Sequence, residues 1–98
     1  MFYDYMVDIC NETYTKNEYG DRVKTKTVID TIECDMQPYS STLASRDYGL
    51  DISCTNRIFA NINSNIKQGN FIFYNSNYYL ITSTIIWEDY IEAMVNRI

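Results

Sequence analysis

The chain contains no histidine, and it is also poor in the other residues that build common catalytic and metal sites. A hydrolytic triad or a general base usually recruits histidine, and a zinc site here would have to be completed without it. The three glycines, Gly20, Gly49 and Gly69, stand far apart, so the sequence shows no glycine-rich loop for phosphate. We therefore expect a protein that is not an enzyme, with no catalytic residues, no metal site and no cofactor.

Cysteine is scarce as well. Cys10, Cys34 and Cys54 are odd in number and form no C-x-x-C pair. In a reducing cytoplasm such cysteines usually pack as small apolar side chains. We predict buried or half-buried free thiols.

Positive charge and long apolar runs are also limited. The net charge is −5, and the eight Lys and Arg are scattered along the sequence, which argues against tight binding to nucleic-acid phosphates. No apolar run approaches the roughly 20 residues of a membrane span. The N-terminus, "MFYDYMVDIC", is acidic where a signal peptide would be basic. We expect an intracellular protein that does not enter a membrane.

What the chain does have is alternation typical of strands. Hydrophobic residues make up 46% of its 98 residues, enough for the core of a single domain spanning 1–98. The first segment places four apolar side chains on one face, which we predict to be buried: Tyr3, Tyr5, Val7 and Ile9. A turn at 17–21 leads to a long second strand, and the apolar phase of that strand slips near Val28 and Ile29. The slip predicts a bulge, which favours a curved sheet.

The segment "MQPYSSTLASRDYG" interrupts the alternation. Pro38 cannot donate to a strand ladder and should end the second strand. Ser40 or Ser41 is a suitable helix N-cap, and Gly49 suits a left-handed C-cap. A short helix is therefore predicted between strands.

The rest of the chain predicts more strands. Alternation resumes at Leu50, and "FIFY" and "YYLITSTIIW" form a hairpin around "NSN", with Asn77 in the left-handed conformation. One face of the later strand is predicted to be core: Tyr79, Ile81, Ile85 and Trp87. The tail "EDYIEAMVNRI" fits helix and strand equally. The predicted fold is mainly all-β, a small antiparallel β-barrel or sandwich of about six strands with one short inserted helix.

Two weaker signals for chemistry remain. Asp47 with Asp51, or Glu88 with Asp89, could form an acid pair, although a solvated turn explains the second pair better. The aromatic run "NFIFYNSNYY" could stack nucleic-acid bases, but its nearby cation in the sequence is Lys67 alone. Core packing and a protein interface explain these tyrosines better.

The order of these features resembles the small head-closure, or stopper, proteins at the head–tail junction of long-tailed phages and defective prophages of low-GC Gram-positive bacteria. The most specific stretches are "QPYSSTLASRDYGLDI" and "GNFIFYNSNYYLITSTIIWEDYIEAMV". The resemblance implies a barrel that joins a ring of its own copies, twelve-fold, beneath the portal and its adaptor. That ring closes the DNA channel after packaging and docks the tail. It further implies a subunit made in the host cytoplasm and located in the virion neck, past which DNA moves without specific binding.

In such proteins the gate is a loop that projects from the barrel toward the ring axis. The resemblance makes residues 38–49 the candidate gating or interface loop, and it favours a strand for the tail. The residues to test are Tyr39, Ser40, Ser41, Arg46, Asp47 and Tyr48. The alternative is that this helix only caps one end of the barrel.

Two other functions remain open. A tail-completion or tail-terminator protein belongs to the same structural class. A small barrel that binds nucleic acid or a ligand belongs to a different one.

Overall fold

The computed structural model describes residues 4–98, and the predicted burial of Tyr3 lies outside this range. Within it the chain forms strands and one short helix in this order: β1 (Tyr5–Lys16), β2 (Arg22–Pro38), α1 (Ser41–Tyr48), β3 (Asn56–Ala60), β4 (Phe71–Tyr74), β5 (Asn77–Ile86) and β6 (Ile91–Arg97).

The strands close into an antiparallel barrel in the order β1-β2-β3-β6-β5-β4. The closing contact joins β4 to β1 through three residue pairs, Asp8 with Phe73, Ile9 with Ile72, and Cys10 with Phe71. The structure therefore confirms the all-β fold with one inserted helix. The tail forms β6, so the choice between helix and strand is settled as strand.

The barrel interior is filled by side chains that alternate along each strand. Val7 and Ile9 of β1 face inward as predicted, and both are buried. The inner cluster also takes residues from the other strands and from the loop before β4: Cys34, Ile58, Ala60, Ile66, Ile72, Tyr79, Ile81, Ile91, Ala93 and Val95. The small interior is thus packed with apolar side chains.

The bulge predicted in the second strand is present at Ile29. Ile9 pairs with Asp30 and Cys10 pairs with Val28, so Ile29 has no partner on β1. An extra residue bends a strand and increases its twist. Beyond this point the pairing of β1 with β2 continues to Lys16 and Arg22.

Residues 11–27 form a two-stranded projection that we call the hairpin arm. β4 pairs with β1 only from Asp8 to Cys10, and β3 pairs with β2 only from Cys34 to Pro38. The arm therefore has no neighbouring strand on either side within the described chain. Together with the barrel it gives the molecule extents of 47 × 27 × 23 Å.

The predicted core face of β5 is correct only for its first half. Tyr79 and Ile81 are buried, but the pairing of β5 with β6 shifts register between Ile81 and Ser83. This irregularity reverses the phase of the strand, so Ile85 packs in a different cluster outside the barrel and Trp87 is 40% exposed.

Two boundaries also differ from prediction. β3 begins at Asn56, and the residues from Leu50 to Thr55 are not strand. The β4–β5 turn has two residues, Asn75 and Ser76, with φ of 50° and 63°, whereas Asn77 already belongs to β5. Two positive φ values in a two-residue loop are typical of a type I′ turn, which matches the twist of the strands.

The left-handed conformation of Ser76 gives a test of this turn. Because glycine adopts positive φ without steric cost, we expect Ser76→Gly to raise the free energy of unfolding by about 0.5 kcal/mol. Ser76→Val should lower it by about 1–2 kcal/mol, because a β-branched residue is strained there. Urea denaturation measures both. Ser64→Gly, in an exposed loop without positive φ, is the matched control and should not stabilise the protein.

Candidate functional site

The segment 38–49 lies against the outer wall of the barrel. Met94 alternates with the inward-facing Ala93 and Val95 and thus points outward, where it packs in a second apolar cluster with Tyr39, Ala44 and Cys54. Partly buried side chains surround that cluster: Leu43, Tyr48, Leu50, Ile52 and Ile85. The helix therefore covers the outer side of β6.

The local sequence explains why this helix forms and stops. The Ser40 side chain accepts a hydrogen bond from the backbone N–H of Leu43 at 3.2 Å, as an N-cap does. Gly49 has φ of 68°, and its N–H bonds back to the last turn. The predicted helix and both of its caps are confirmed, with Ser40 and not Ser41 as the N-cap.

The other predicted site residues hold this segment in place. The Tyr39 hydroxyl donates to Asp47 Oδ2 at 2.8 Å, and Arg46 Nε donates to Asp47 Oδ1 at 3.1 Å. The Ser41 hydroxyl accepts from the backbone N–H of Cys54 at 3.1 Å. The structure therefore brings Tyr39, Arg46 and Asp47 together, and it ties the start of the helix to the segment before β3.

Tyr48 belongs to a different group, centred on Glu92. Its hydroxyl lies 3.0 and 3.1 Å from the two carboxylate oxygens of Glu92, which is only 1% exposed. Trp87 Nε1 donates to Glu92 at 3.2 Å, and Arg57 forms an ion pair with it at 3.5 Å. Three donors from three parts of the chain thus compensate the burial of this carboxylate.

Arg57 links the helix segment to three strands. Its guanidinium carbon lies 4.3 Å from the ring centroid of Tyr39 and 5.1 Å from that of Phe59. Its Nε and Nη2 donate to Gln37 Oε1 at 3.2 and 3.1 Å. Sequence reasoning missed Arg57 and Glu92. Alternation along β6 would have placed Glu92 on the outer face, but nothing in the pattern shows that a helix covers it.

This environment shifts three pKa values. Burial, and then the hydrogen bond to Asp47, raise the pKa of Tyr39 to about 12. Burial and the hydrogen bond to Glu92 also raise the pKa of Tyr48. The hydrogen bonds from Tyr39 and Arg46 lower the pKa of Asp47. The two phenols therefore stay protonated as donors, and Asp47 stays ionised as the acceptor of the Tyr39 hydroxyl.

A second notable feature is the cationic side of the hairpin arm. Cross-strand pairing places Tyr14 opposite Lys24 and Lys16 opposite Arg22, so side chains of the two strands line one face. We call this the basic face, and it contains four of the eight cations of the chain: Lys16, Arg22, Lys24 and Lys26. Strand pairing thus brings together half of the cations that are scattered along the sequence.

The basic face is also aromatic. The Arg22 guanidinium carbon lies 4.7 Å from the ring centroid of Tyr14, and Lys24 Nζ lies 5.9 Å from it. Nearer the barrel, Lys26 Nζ lies 4.7 Å from the ring of Phe71 and 5.1 Å from that of Tyr78. The cation beside the aromatic run is therefore Lys26 from β2, which the one-dimensional sequence did not indicate.

The remaining predicted chemistry is not assembled in the described residues. Cys10, Cys34 and Cys54 are buried free thiols, as predicted, and burial raises the pKa of Cys34 to about 12. Glu88 and Asp89 are exposed between β5 and β6, and Asp51 is exposed as well. Residues 4–98 contain no cluster of three metal-ligating side chains. Nor does this range contain a helix with the length and apolar character needed to cross a bilayer.

The chain matches no protein-family model and no curated protein. Its candidate functional features are therefore those that the geometry presents: the docked segment 38–49 with the Glu92 group beneath it, and the projecting arm.

The Glu92 group predicts unequal effects of two arginine substitutions. Arg57→Ala should lower the free energy of unfolding by about 2–4 kcal/mol, because it leaves a buried carboxylate without its counter-ion and removes stacking on Tyr39. Arg46→Ala is the matched control. Its ion pair with Asp47 is at the surface, with the arginine side chain 70% exposed, so the loss should stay below about 0.5 kcal/mol. Equal losses in chemical denaturation would contradict the role given to Glu92.

The raised pKa of Tyr39 predicts an alkaline loss of stability. The unfolded chain releases this phenolic proton near pH 10, whereas the folded protein keeps it to about pH 12. Between those values the unfolded state binds fewer protons, so the free energy of unfolding falls as pH rises. The stabilising contribution of Tyr39 is fully present below pH 10. Denaturation at pH 8 to 12 measures the slope, which Tyr39→Phe should reduce. Tyr19→Phe, at a position 81% exposed, is the control and should leave the profile as in the parent.

Proposed function

We propose that this protein is a structural subunit of a phage head–tail connector, a head-closure or stopper protein that forms a ring and acts through protein contacts without turnover. The proposal combines the resemblance of "QPYSSTLASRDYGLDI" and the C-terminal hairpin with one observation in the structure. That observation is a closed small barrel from which a hairpin arm projects, and none of the other strands in residues 4–98 lies beside this arm.

The arm supports an assembly role because its strand edges are unpaired and its apolar side chains are exposed in a free monomer. A two-stranded ribbon is marginally stable in water on its own, and its edges invite pairing. This arm also keeps large apolar side chains in solvent at its tip, along its strands and at its base: Tyr14 (57% exposed), Tyr19 (81%), Val23 (41%) and Val28 (53%). Contact with a neighbouring subunit would bury both the edges and these side chains.

The chemistry of the docked segment also fits a protein that binds and does not catalyse. Glu92, the one buried carboxylate in residues 4–98, already receives hydrogen bonds from Tyr48, Trp87 and Arg57. A general base needs an open lone pair facing a substrate. This group instead holds the helix on the barrel wall.

The position of residues 38–49 bears on whether this segment can act as a moving gate. To swing toward a ring axis, the segment would have to expose Tyr39, Ala44 and Met94, which are at most 4% exposed, and break the Tyr39–Asp47 and Tyr48–Glu92 hydrogen bonds. Those costs favour a fixed interface over a moving gate. The gating role of this segment stays a prediction. The arm is the element that already projects.

The charge of the chain is compatible with a DNA channel. A net charge of −5 repels a phosphate backbone, so DNA can slide past a ring of such subunits without being retained.

The direct test is electron microscopy of particles from a phage or prophage that lacks this gene, with the DNA content of the heads measured in parallel. Emptied heads beside intact, unattached tails are the expected result for a head-closure protein. Filled heads with malformed tails would assign the protein to tail completion instead. Normal infectious particles would contradict a structural role.

An arm-deletion variant adds a sharper test. Glu12 pairs directly with Lys26, so Asn-Gly can replace residues 13–25 as a two-residue turn. Because the arm lies outside the barrel, we expect the melting temperature to stay within a few degrees of the parent. The same variant should fail to restore infectious particles to the deletion phage. Restoration by the folded variant would remove the arm from the proposed function.

A further inference from the structure

The long β1–β2 hairpin changes sign along its length. The arm contains four cations and three carboxylates, and the cations lie together on the basic face. The barrel half of the same hairpin, residues 4–9 and 30–38, contains no Lys or Arg. The two halves meet at the Ile29 bulge.

The acidic half presents its charges to the outside. Val7, Ile9 and Cys34 face the interior, so the alternate residues on these strands face out. We define the carboxylate face as the outward carboxylates of the two strands together with the exposed Asp4 just before β1: Asp4, Asp8, Glu33 and Asp35. None of these carboxylates forms an ion pair with a side chain of residues 4–98. Met6, 62% exposed, lies among them and pairs with Glu33 across the strands.

The two faces match in spacing as well as in sign. Alternate residues on a strand lie about 6.6 Å apart, and this distance separates Arg22 from Lys24 and also Glu33 from Asp35. The basic face spans about 13 Å along β2 from Arg22 to Lys26, and the carboxylate face spans a similar length from Asp4 to Asp8. Both faces add exposed apolar or aromatic surface, Tyr14 on one and Met6 on the other.

We propose that the basic face of the arm of one copy docks on the carboxylate face of a second copy of this chain. This inference rests on the proposed ring function and names the contact that would build the ring. A contact between two different patches of one subunit generates a ring when its rotation closes. One such contact covers only a few hundred Å² per partner, less than the roughly 800 Å² of a stable pair, so it is weak alone and sensitive to salt.

Nucleic acid is a poorer partner for this arm. Glu12 lies between Lys24 and Lys26 and pairs with both, at 3.7 and 3.5 Å. Glu18 and Asp21 at the tip add more negative charge. These carboxylates weaken the binding of any purely electrostatic partner, and a phosphate backbone offers the arm charge alone. The carboxylate face also offers Met6, so that it can contact both the cations and the exposed aromatic side chain of the arm.

The test is zero-length carbodiimide coupling between lysines and carboxylates in an equal mixture of ¹⁴N- and ¹⁵N-labelled protein. Mass spectrometry then distinguishes links between copies from links within one copy. We expect links between copies from Lys24 or Lys26 to the carboxylate face at about 50 mM salt. Their yield should fall at least fivefold at about 500 mM salt, where the Debye length is short.

Charge reversal tests the specificity of the contact. Arg22→Glu with Lys24→Glu, and separately Asp4→Lys with Glu33→Lys, should each reduce links between copies about tenfold. A mixture of the two variants should restore coupling between the charge-reversed arm and the charge-reversed carboxylate face. The matched control for the arm variant is Lys67→Glu with Arg97→Glu, which changes the net charge by the same amount as Arg22→Glu with Lys24→Glu but lies on neither face, and it should keep the parent yield. Circular dichroism shows that each variant is folded.

Several results would overturn the inference. Links confined to single copies would do so, as would a mixture of reversed variants no better than either alone. The latter result is expected if the lysines only protect strand edges from pairing. Retention of a short DNA duplex that depends on Arg22 and Lys24, without links between copies, would assign the arm to nucleic acid.

The contact and the proposed function can fail separately. If the protein is present in the neck but gives no links between the arm and the carboxylate face, the proposed function stands and this contact is wrong. If such links form but deletion of the gene leaves phage particles normal, the contact stands and the proposed function is wrong.

Discussion

The architecture depends on the short seam between β1 and β4, which turns a curved sheet into a closed barrel. Only three residue pairs form it, from Asp8 to Cys10 on β1. Without the seam, β4 and β1 would both be open edges. Because β4 has only four residues, the seam ends early, while β1 continues for six more residues with β2 as its only partner among the described strands. Barrel closure and the free arm are thus two results of one mismatch in strand length.

The outer wall of the barrel depends on a second constraint, the burial of Glu92. A carboxylate in that position must be paired, and the chain meets this demand from β3, from the end of β5 and from the last residue of the helix. Arg57 also stacks on Tyr39, which anchors the start of the same segment. The helix is therefore fixed at both ends, and its apolar contacts with Met94 lie between these anchors. A rigidly held helix leaves the arm as the element best placed to meet partners.

Sequence reasoning was most successful where a local signal was strong. The alternation of Val7 and Ile9, the slip of phase at Ile29 and the two helix caps each have a local physical cause, and each is confirmed. The register shift in β5 was not predictable, because it falls at Thr82 and Ser83. These two residues are polar, so the alternation of apolar side chains does not show a shift there. The Glu92 group and the basic face depend on strand pairing. Residues distant in sequence, such as Lys26 and Phe71, become neighbours only in the closed barrel.

The central claim is that the arm is a contact element. It continues the β1–β2 hairpin beyond the barrel, and contact with a neighbouring subunit covers its exposed edges and side chains. Hydrogen exchange, followed by mass spectrometry on the isolated protein and on the protein within assembled necks, tests it most directly. The account predicts fast exchange for amides of residues 11–27 in isolation, relative to β3 and β6, and strong protection of the same amides after assembly. Arm amides that exchange at the same rate in both states would contradict it.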